Sequence, residues 1–321
     1  MTTIAVTGAS GFCGSHVAAT AAARGADVLC VGRRPGPVGR HVPWDAETAV
    51  PDLAGADVVV HCAAAVGDPV PGSPAERTMR AVNVDGTARL LRAAAGRPVV
   101  WVSSASVYAP GAGRSPIGED HPVGGQPNAY GRTKAAGEAL ALAAGAVVLR
   151  PRAVYGPGDP HLVPRLLARV RRGVLPLPGA DVELSLTAVE NLADACLTAA
   201  GWPPGAYNIA DPRPYRRDET LRSVARAHGM AVRVLHLPVR LAAAAAAVAE
   251  AVARSRPDTE PALTRHAVRQ LAHGVVLDVG RAQEQGWTAR RCLTDYLGGL
   301  GGGGSASRPW PPVPGGRRTG T

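Results

Sequence analysis

Thr3-Ile4-Ala5-Val6-Thr7-Gly8-Ala9-Ser10-Gly11-Phe12-Cys13-Gly14 is the stretch that decides the fold. A short apolar, β-branched run leads into glycines at 8, 11 and 14, and a helical pattern follows over Gly14–Arg24. Gly8 permits a tight turn, Gly11 lets the backbone approach a pyrophosphate, and Gly14 allows close helix–strand packing. The phosphate then rests on the helix N-terminus, where free N–H groups and the dipole meet it. A glycine triplet alone means little in a chain with 39 glycines; its place between a strand and a helix is what gives it weight. Gly8, Ser10, Gly11, Phe12, Cys13 and Gly14 are therefore candidate cofactor-binding residues, with Cys13 filling an apolar position.

Outward from this loop, short apolar runs alternate with alanine-rich helical stretches through the first 150 residues. Candidate strands are Ile4–Val6, Asp27–Val31, Val58–His61, Val99–Ser103 and Val147–Leu149; helical patterns fall at Gly14–Arg24, Arg77–Ala95 and Asn128–Ala144. This alternation predicts an α/β fold, a Rossmann-type doubly wound parallel sheet, with a smaller C-terminal substrate lobe. The expected boundaries are 1–157 for the dinucleotide-binding domain, with 183–203 returning to it, and 158–182 plus 204–297 for the lobe. Residues 298–321 form a Gly/Pro-rich tail that reads as flexible linker. Within the lobe, Ala242–Ala253 predicts a helix, whose alanines either leave space for a bulky ligand or serve close packing.

The second strand ends Cys30-Val31-Gly32-Arg33-Arg34. A fold that selects NAD usually carries an acidic residue here for the ribose 2′-hydroxyl. Arg33 and Arg34 instead suit a 2′-phosphate, so NADP(H) is expected in preference to NAD(H). Asp45, in Trp44-Asp45-Ala46, is a candidate acceptor for the adenine.

Lys134 is the only lysine, although Lys and Arg together number 35. It lies four residues after Tyr130, on the same face of a helix. Arginine is a planar fork that cannot be deprotonated, whereas lysine is a compact charge suited to a tight site. An ammonium beside Tyr130 is expected to lower the phenol pKa from about 10 and bring it into range for proton transfer.

Of the 321 residues 46% are hydrophobic and 19% charged, enough for a sizeable core. The chain opens on a strand-like run without signal-peptide features, and its longest apolar stretch, Leu241–Ala249, is too short to span a bilayer. Its cysteines (Cys13, Cys30, Cys62, Cys196 and Cys292) form no Cys-x-x-Cys pair, so no metal is expected and a reducing cytoplasm fits. The net charge of +10 comes from scattered arginines, three of them (Arg308, Arg317, Arg318) in the tail. With one phenylalanine and no nucleic-acid motif, that pattern argues against a nucleic-acid partner.

Several ordered motifs, together covering roughly residues 3–297, resemble the extended short-chain dehydrogenase/reductase class, the NAD(P)-dependent epimerase/dehydratase superfamily. The glycine loop has that family's Thr-Gly-x-x-Gly-x-x-Gly form. Asp57-Val58-Val59-Val60-His61-Cys62-Ala63-Ala64 looks like its fourth-strand motif, which implies Ala63 and Ala64 beside the adenine and ribose. Asn83-Val84-Asp85-Gly86-Thr87 resembles its next helix opening, and Val102-Ser103-Ser104-Ala105-Ser106-Val107-Tyr108 its strand end with the catalytic Ser or Thr. By that register Ser104 is catalytic and Ser106 a substrate neighbour, while Tyr130 and Lys134 match the Tyr-x-x-x-Lys pair. Arg150-Pro151-Arg152-Ala153-Val154-Tyr155-Gly156-Pro157-Gly158-Asp159 resembles the segment passing the nicotinamide, which implies cofactor contacts for Pro151 and Val154. Ser103 reads as a packed strand residue, Tyr108 and Tyr155 as wall or core, and His61 as a structural hydrogen-bonding residue. Homodimers built on two long helices are common in the class, and the resemblance allows one here.

The class contains nucleotide-sugar epimerases and dehydratases, which recycle bound NAD, and reductases, which exchange cofactor. Nucleotide-sugar members usually carry an Arg-Asp-Phe/Tyr-like run in the second lobe; here Glu183 and Leu184 stand near that arginine's place, and an acid there repels a diphosphate. The run from Gly158 to Leu167 and the later Val189-Glu190-Asn191 resemble the 3β-hydroxysteroid dehydrogenase-like branch. Arg165, Arg169, Arg171 and Arg172 stand either for an acidic substrate or for a solvated helix face. The expected activity is an NADP(H)-dependent ketoreductase/alcohol dehydrogenase acting on an apolar or polycyclic ketone or a β-keto acid, with a biosynthetic tailoring step as its setting. The alternatives are a nucleotide-sugar epimerase, dehydratase or 4-ketoreductase, or a cofactor-sensing protein without chemistry. Proteins of the last kind tend to lose the tyrosine–lysine pair that is kept here.

Overall fold

Apolar residues stand at consecutive strand positions in this chain because helices cover both faces of its sheet. In the computed structural model, which describes residues 1–111, 116–160, 162–254 and 264–301, the expected doubly wound sheet is present. Its strands are β1 (Thr3–Thr7), β2 (Asp27–Gly32), β3 (Arg40–Pro43), β4 (Val58–His61), β5 (Val99–Val102), β6 (Val147–Pro151) and β7 (Gly205–Ile209). They pair in parallel in the order β7-β6-β5-β4-β1-β2-β3. The flanking helices are α1 (Phe12–Ala23), α2 (Pro74–Arg80), α3 (Thr87–Ala94), α4 (Ala129–Ala143) and α5 (Val189–Thr198). On one face, Val17, Ala18 and Ala21 of α1 and Leu192 and Ala195 of α5 pack on Val6, Val60, Val100 and Leu149. On the other, Leu90 and Ala94 of α3 and Ala141 of α4 pack on Ala5, Val59, Trp101 and Val148. Strand order reverses between β1 and β4, which opens a crevice at their carboxyl ends, the usual ligand position of such sheets.

Some elements differ from the sequence expectation. The Arg77–Ala95 pattern is three pieces, because the turn Ala81–Gly86 between α2 and α3 is a π-helix. Tertiary contacts hold that bulge. Asn83 Oδ1 accepts from Ala65 N at 2.7 Å, and Asn83 Nδ2 donates to Thr133 Oγ1 of α4 at 3.0 Å. Strand β3 was not expected; Arg-His-Val-Pro has no apolar run, and its proline is tolerated because β3 is an edge strand. Residues 205–209 were expected in the substrate lobe but form the seventh strand of the sheet, in register with Val147–Pro151. The helix Leu293–Gly301 runs into the stretch expected to begin a flexible tail at Gly298; the remaining tail, with Arg308, Arg317 and Arg318, lies outside the described residues. Ala242–Ala253 falls within the helix Val239–Arg254, and its Ala242 and Ala246 pack with Val268. Alanine here serves close helix–helix packing.

The carboxyl ends of β5, β6 and β7 are tied to α4 by one buried ion pair. Arg150 Nη2 donates to Glu138 Oε1 at 2.5 Å, and the two side chains are 4% and 2% exposed. Ser103 Oγ donates to Glu138 Oε2, Arg150 Nη1 donates to Tyr108 Oη at 3.0 Å, and that hydroxyl donates to Asn208 Oδ1 of β7 at 2.6 Å. Removing one member of such a pair leaves an uncompensated buried charge. Glu138→Ala should therefore destabilise the fold by about 3–5 kcal/mol in urea denaturation. Arg24→Ala, which breaks the exposed pair with Asp194, should cost only about 0–1 kcal/mol.

Candidate active site

The glycine loop turns where a side chain has no room. Gly8 has φ +67°, and a Cβ there would stand 2.8 Å from Ala63 Cα; a Cβ on Gly14 would meet Gly8 O at 2.3 Å. Gly8 N–H donates to Val31 O and Gly11 N–H to Gly8 O, so the loop closes over the ends of β1, β2 and β4. Helix α1 begins at Phe12 with neither a side-chain cap nor an acidic residue in its first turn. That cradle and uncapped N-terminus fit the pyrophosphate of a dinucleotide. Ser10 is half-buried at the loop, and Phe12 packs edge-on against His16, whose Nε2 lies 3.0 Å from Pro157 O. Burial pushes the Cys13 thiol up to about 12, with Cys62 and Asp159 adding to the rise, so it is an inert side chain here.

Arg33 and Arg34 follow β2 at the same end of the sheet, both exposed, and neither makes an ion pair or side-chain hydrogen bond among the described residues. Asp45 is half-buried and Oδ1 accepts from Glu47 N at 2.9 Å, so it shapes a turn beside the crevice. Ala63 backs onto Gly8 and its N–H donates to Thr7 Oγ1 at 3.1 Å. Thr7 Oγ1 also lies 2.7 Å from His61 Nδ1, and burial holds that imidazole neutral, its pKa down at about 3. His61 thus has the structural bond expected of it.

Ser104 caps the short turn Ala105–Val107 after β5, accepting from Ser106 N at 3.2 Å and from Ser106 Oγ at 3.0 Å. Tyr130 and Lys134 stand one turn apart on α4, the helix that Ser103 and Arg150 fasten to the sheet through Glu138. Ser104 and Cys13 of the glycine loop both stand near enough to the Tyr130 phenol to act on it, Cys13 raising its pKa and Ser104 lowering it. Serine, tyrosine and phosphate loop are thereby brought together. Lys134 is 2% exposed, donates from Nζ to Val102 O at 2.7 Å, and lies 3.7 Å above the Trp101 ring.

One expectation is corrected. Lys134 was expected to lower the Tyr130 pKa, but burial pushes that phenol up to about 12, against the downward pull of Ser104. The ammonium faces the sheet carbonyl and Trp101, whereas the phenol faces Ser104. Burial also brings Lys134 down to about 7, with Glu138 as its main opposing influence. Tyr130 therefore rests as a protonated acid at neutral pH.

Ser103, buried against Glu138, has the packing role expected of it, and Tyr108 and Tyr155 are core residues at 6% and 1% exposure. Pro151 is buried at the end of β6 and Val154 half-buried just after it. Asn191 accepts from Arg290 N and Arg291 N and donates to Asp211, so the Val-Glu-Asn run anchors the lobe. The side chain of Arg165 lies outside the described residues. Glu138 escaped the sequence reading, and Asn83 and Arg152 stood in its motifs without a role of their own. Their roles lie in partners far away in the chain, which leave no local signal.

The NAD dependent epimerase/dehydratase family profile matches residues 4–210. A 2-alkyl-3-oxoalkanoate reductase of Shewanella oneidensis is 30% identical over 324 residues, covering 88% of this chain and 81% of that protein. A 4-hydroxy-2-methyl-3-oxo-4-farnesyl-3,4-dihydroquinoline-1-oxide ketoreductase of Stigmatella aurantiaca is 29% identical, covering 89% and 91%. Among solved structures, MoeE5 in complex with UDP-glucuronic acid and NAD aligns with a TM-score of 0.70 at 27% identity, covering 93% and 97%.

Because the chain has one lysine, selective ε-carbon labelling of lysine should give a single nuclear magnetic resonance signal. In the cofactor-free protein it should titrate with a midpoint near about 7, protonated below and neutral above, against 10.5 for an ordinary lysine. A midpoint above about 9 would contradict the burial described here.

Proposed function

The chain belongs to the NAD dependent epimerase/dehydratase family, and on that premise we propose that it is an NADP(H)-dependent ketoreductase with Ser104, Tyr130 and Lys134 as its catalytic residues. That it is an NAD(P)-dependent oxidoreductase follows from the family and its reductase relatives. The observation that carries the finer reading is the proximity of Ser104 to the Tyr130 phenol beside the glycine cradle, with a protonated phenol at neutral pH. NADP(H), when bound, supplies or accepts the hydride. Ser104 holds the substrate oxygen, and Tyr130 gives it a proton in reduction or takes one in oxidation. Lys134, held above the buried Trp101 ring, would face the cofactor side, where the ammonium suits ribose hydroxyls.

Gly8, Ser10, Gly11, Phe12, Cys13 and Gly14 would hold the pyrophosphate. Asp45, Ala63 and Ala64 would line the adenosine, and Pro151 and Val154 the nicotinamide. Arg33 and Arg34, exposed and unengaged after β2, support selection of a 2′-phosphate. The reductase names of the two relatives, each covering nearly nine-tenths of this chain, support an apolar or polycyclic ketone or β-keto acid as substrate. The MoeE5 likeness supports a second reading, a nucleotide-sugar enzyme that keeps its NAD. Against it, Glu183 is exposed in a short strand paired with Tyr215–Arg216, where an anion-binding arginine would be wanted. No helix among the described residues is long and apolar enough to cross a membrane. We assign the protein to the cytoplasm, with small molecules as its partners and a homodimer as its assembly; sedimentation as a monomer alone would remove the dimer.

Two substitutions test the reading. Tyr130→Phe should lower ketone reduction by about 10²–10⁴-fold with NADPH affinity kept within about 3-fold. Full activity in that variant would exclude Tyr130 as the acid. Arg33→Ala with Arg34→Ala should weaken NADPH by about 10–100-fold and leave NADH unchanged. An unaltered NADPH/NADH affinity ratio, or NAD released tightly bound on denaturation, would favour the nucleotide-sugar reading.

A further inference from the structure

Two arginines are fully buried among the described residues, and each has a carboxylate. Arg150 pairs with Glu138, and Arg217 with Asp218 at 3.0 Å. Arg152, half-buried two residues after Arg150, has no carboxylate within ion-pair distance among the described residues. Its Nη1 donates to Ser185 O at 2.9 Å, a neutral acceptor that leaves the charge uncompensated. Its main chain is also clamped: Arg152 N–H donates to Thr187 Oγ1 at 3.1 Å, and that hydroxyl is shared between the carbonyls of Arg152 and Ile209.

The register places this cation beside the reacting groups. Val102 pairs with Leu149, and Ser103 N–H donates to Leu149 O at 2.7 Å, so the chain at Ser104 and Ala105 runs alongside Pro151 and Arg152. From the other side, Ser185 N–H donates to Val275 O, and Val275 packs in one apolar cluster with Ala105, Tyr108 and Leu277. Arg152 is half-buried, and its guanidinium nitrogens are not among the buried polar atoms left without a partner, so its remaining N–H groups are not sealed in the core. Burial brings the guanidinium down to about 10. A desolvated cation of this kind is costly unless an anion joins it.

We propose that Arg152 is the carboxylate-recognising residue of the substrate site, and that the substrates are 3-oxo or 3-hydroxy acids rather than neutral ketones. This rests on the ketoreductase reading above. Neighbouring strands lie about 4.8 Å apart, so the backbones that carry Ser104 and Arg152 are close enough for one small molecule to reach both side chains. A 3-hydroxy acid carries its hydroxyl and its carboxylate on one short chain, and an Arg fork binds a carboxylate through two parallel hydrogen bonds. The remaining part of such a substrate is free to be apolar. Arg152 orients and selects; the proton chemistry stays with Tyr130.

The test compares 3-hydroxyoctanoate with its methyl ester in NADP⁺-dependent oxidation, and octanoate with methyl octanoate in calorimetric binding to the NADP⁺-saturated protein. In the natural protein the acid should exceed the ester at least about 10-fold in kcat/KM, mainly through KM. Arg152→Met should bring that ratio to about 1, and Arg152→Lys, which keeps charge without the fork, should give an intermediate ratio. Unchanged NADP⁺ affinity shows that the variants are folded. An acid/ester ratio near 1 in the natural protein, or one that survives Arg152→Met, overturns the proposal. If neither hydroxy compound is oxidised, the ketoreductase reading fails, and binding alone decides Arg152. Octanoate preferred over its ester, with the preference lost in Arg152→Met, keeps the anion site; equal binding removes it.

Discussion

The contact between Arg150 and Glu138 is the constraint on which the site depends. A strand end and a helix interior would otherwise be free to slide past each other on an apolar surface, because apolar packing has no direction. A buried ion pair has direction. The guanidinium of Arg150, at the end of β6, reaches Glu138 on α4 through both Nε and Nη2. Glu138 lies one helical turn beyond Lys134 and two beyond Tyr130, so the pair sets the height of both above the sheet. The same carboxylate receives Ser103, the residue before Ser104, and so fixes the other half of the proposed proton-donating pair. Through Tyr108 and Asn208 the network extends to β7, making three adjacent strand ends and one helix a single rigid piece.

A second constraint is steric and acts at the glycine loop. The close approach of Gly8 to Ala63 and of Gly14 to Gly8 leaves no space for side chains, so the loop is pressed onto the sheet while its outer N–H groups stay available. The two constraints meet at the reversal of strand order. In the proposed reading the phosphate and adenosine groups come from β1, β2 and β4, and the nicotinamide and substrate groups from β5, β6 and α4. Hydride and proton must reach one carbon–oxygen group from two sides, and a sheet built outward from a central crevice supplies both with short connections.

Much of this was legible in the sequence because the signals are local. Glycines at 8, 11 and 14 after a β-branched run, consecutive valines at 58–60, and Tyr130 four residues before the one lysine each speak for themselves. What stayed hidden has non-local causes. Strand β3 is Arg-His-Val-Pro, whose place is decided by an edge rather than by its own residues. Strand β7 includes Asn208, a poor strand residue by propensity, kept because its amide bonds Ile117 O and Asp278 O. The π-helical turn at Ala81–Gly86 follows from what the Asn83 side chain bonds and from the approach of its carbonyl to Gly137 of α4, where a Cβ would stand 2.5 Å away, not from any breaker in the run. Arg152 sits among 35 basic residues, and its place against Ser185 with no carboxylate beside it shows only in three dimensions.

The correction at Tyr130 bears on how the proton chemistry is arranged. Sequence spacing puts Lys134 on the right face, and spacing alone suggests an ammonium directly lowering a phenol pKa. Burial opposes charge on both groups: it raises the phenol and lowers the amine, so each is moved toward its neutral form. A neutral phenol beside Ser104 is already the form that donates a proton, which suits ketone reduction. Oxidation of an alcohol needs the phenolate, and hence a nearby positive charge or hydrogen-bond donor to stabilise it. Lys134, with its pKa near 7, stands close to the point where small changes in its surroundings decide whether that charge is present. A ligand that offers Lys134 hydroxyl oxygens in place of the Val102 carbonyl would raise its proton affinity, and the charge gained would in turn favour the Tyr130 phenolate. The lysine–tyrosine coupling expected from the sequence therefore depends on what fills the crevice, not on the spacing of the two residues alone.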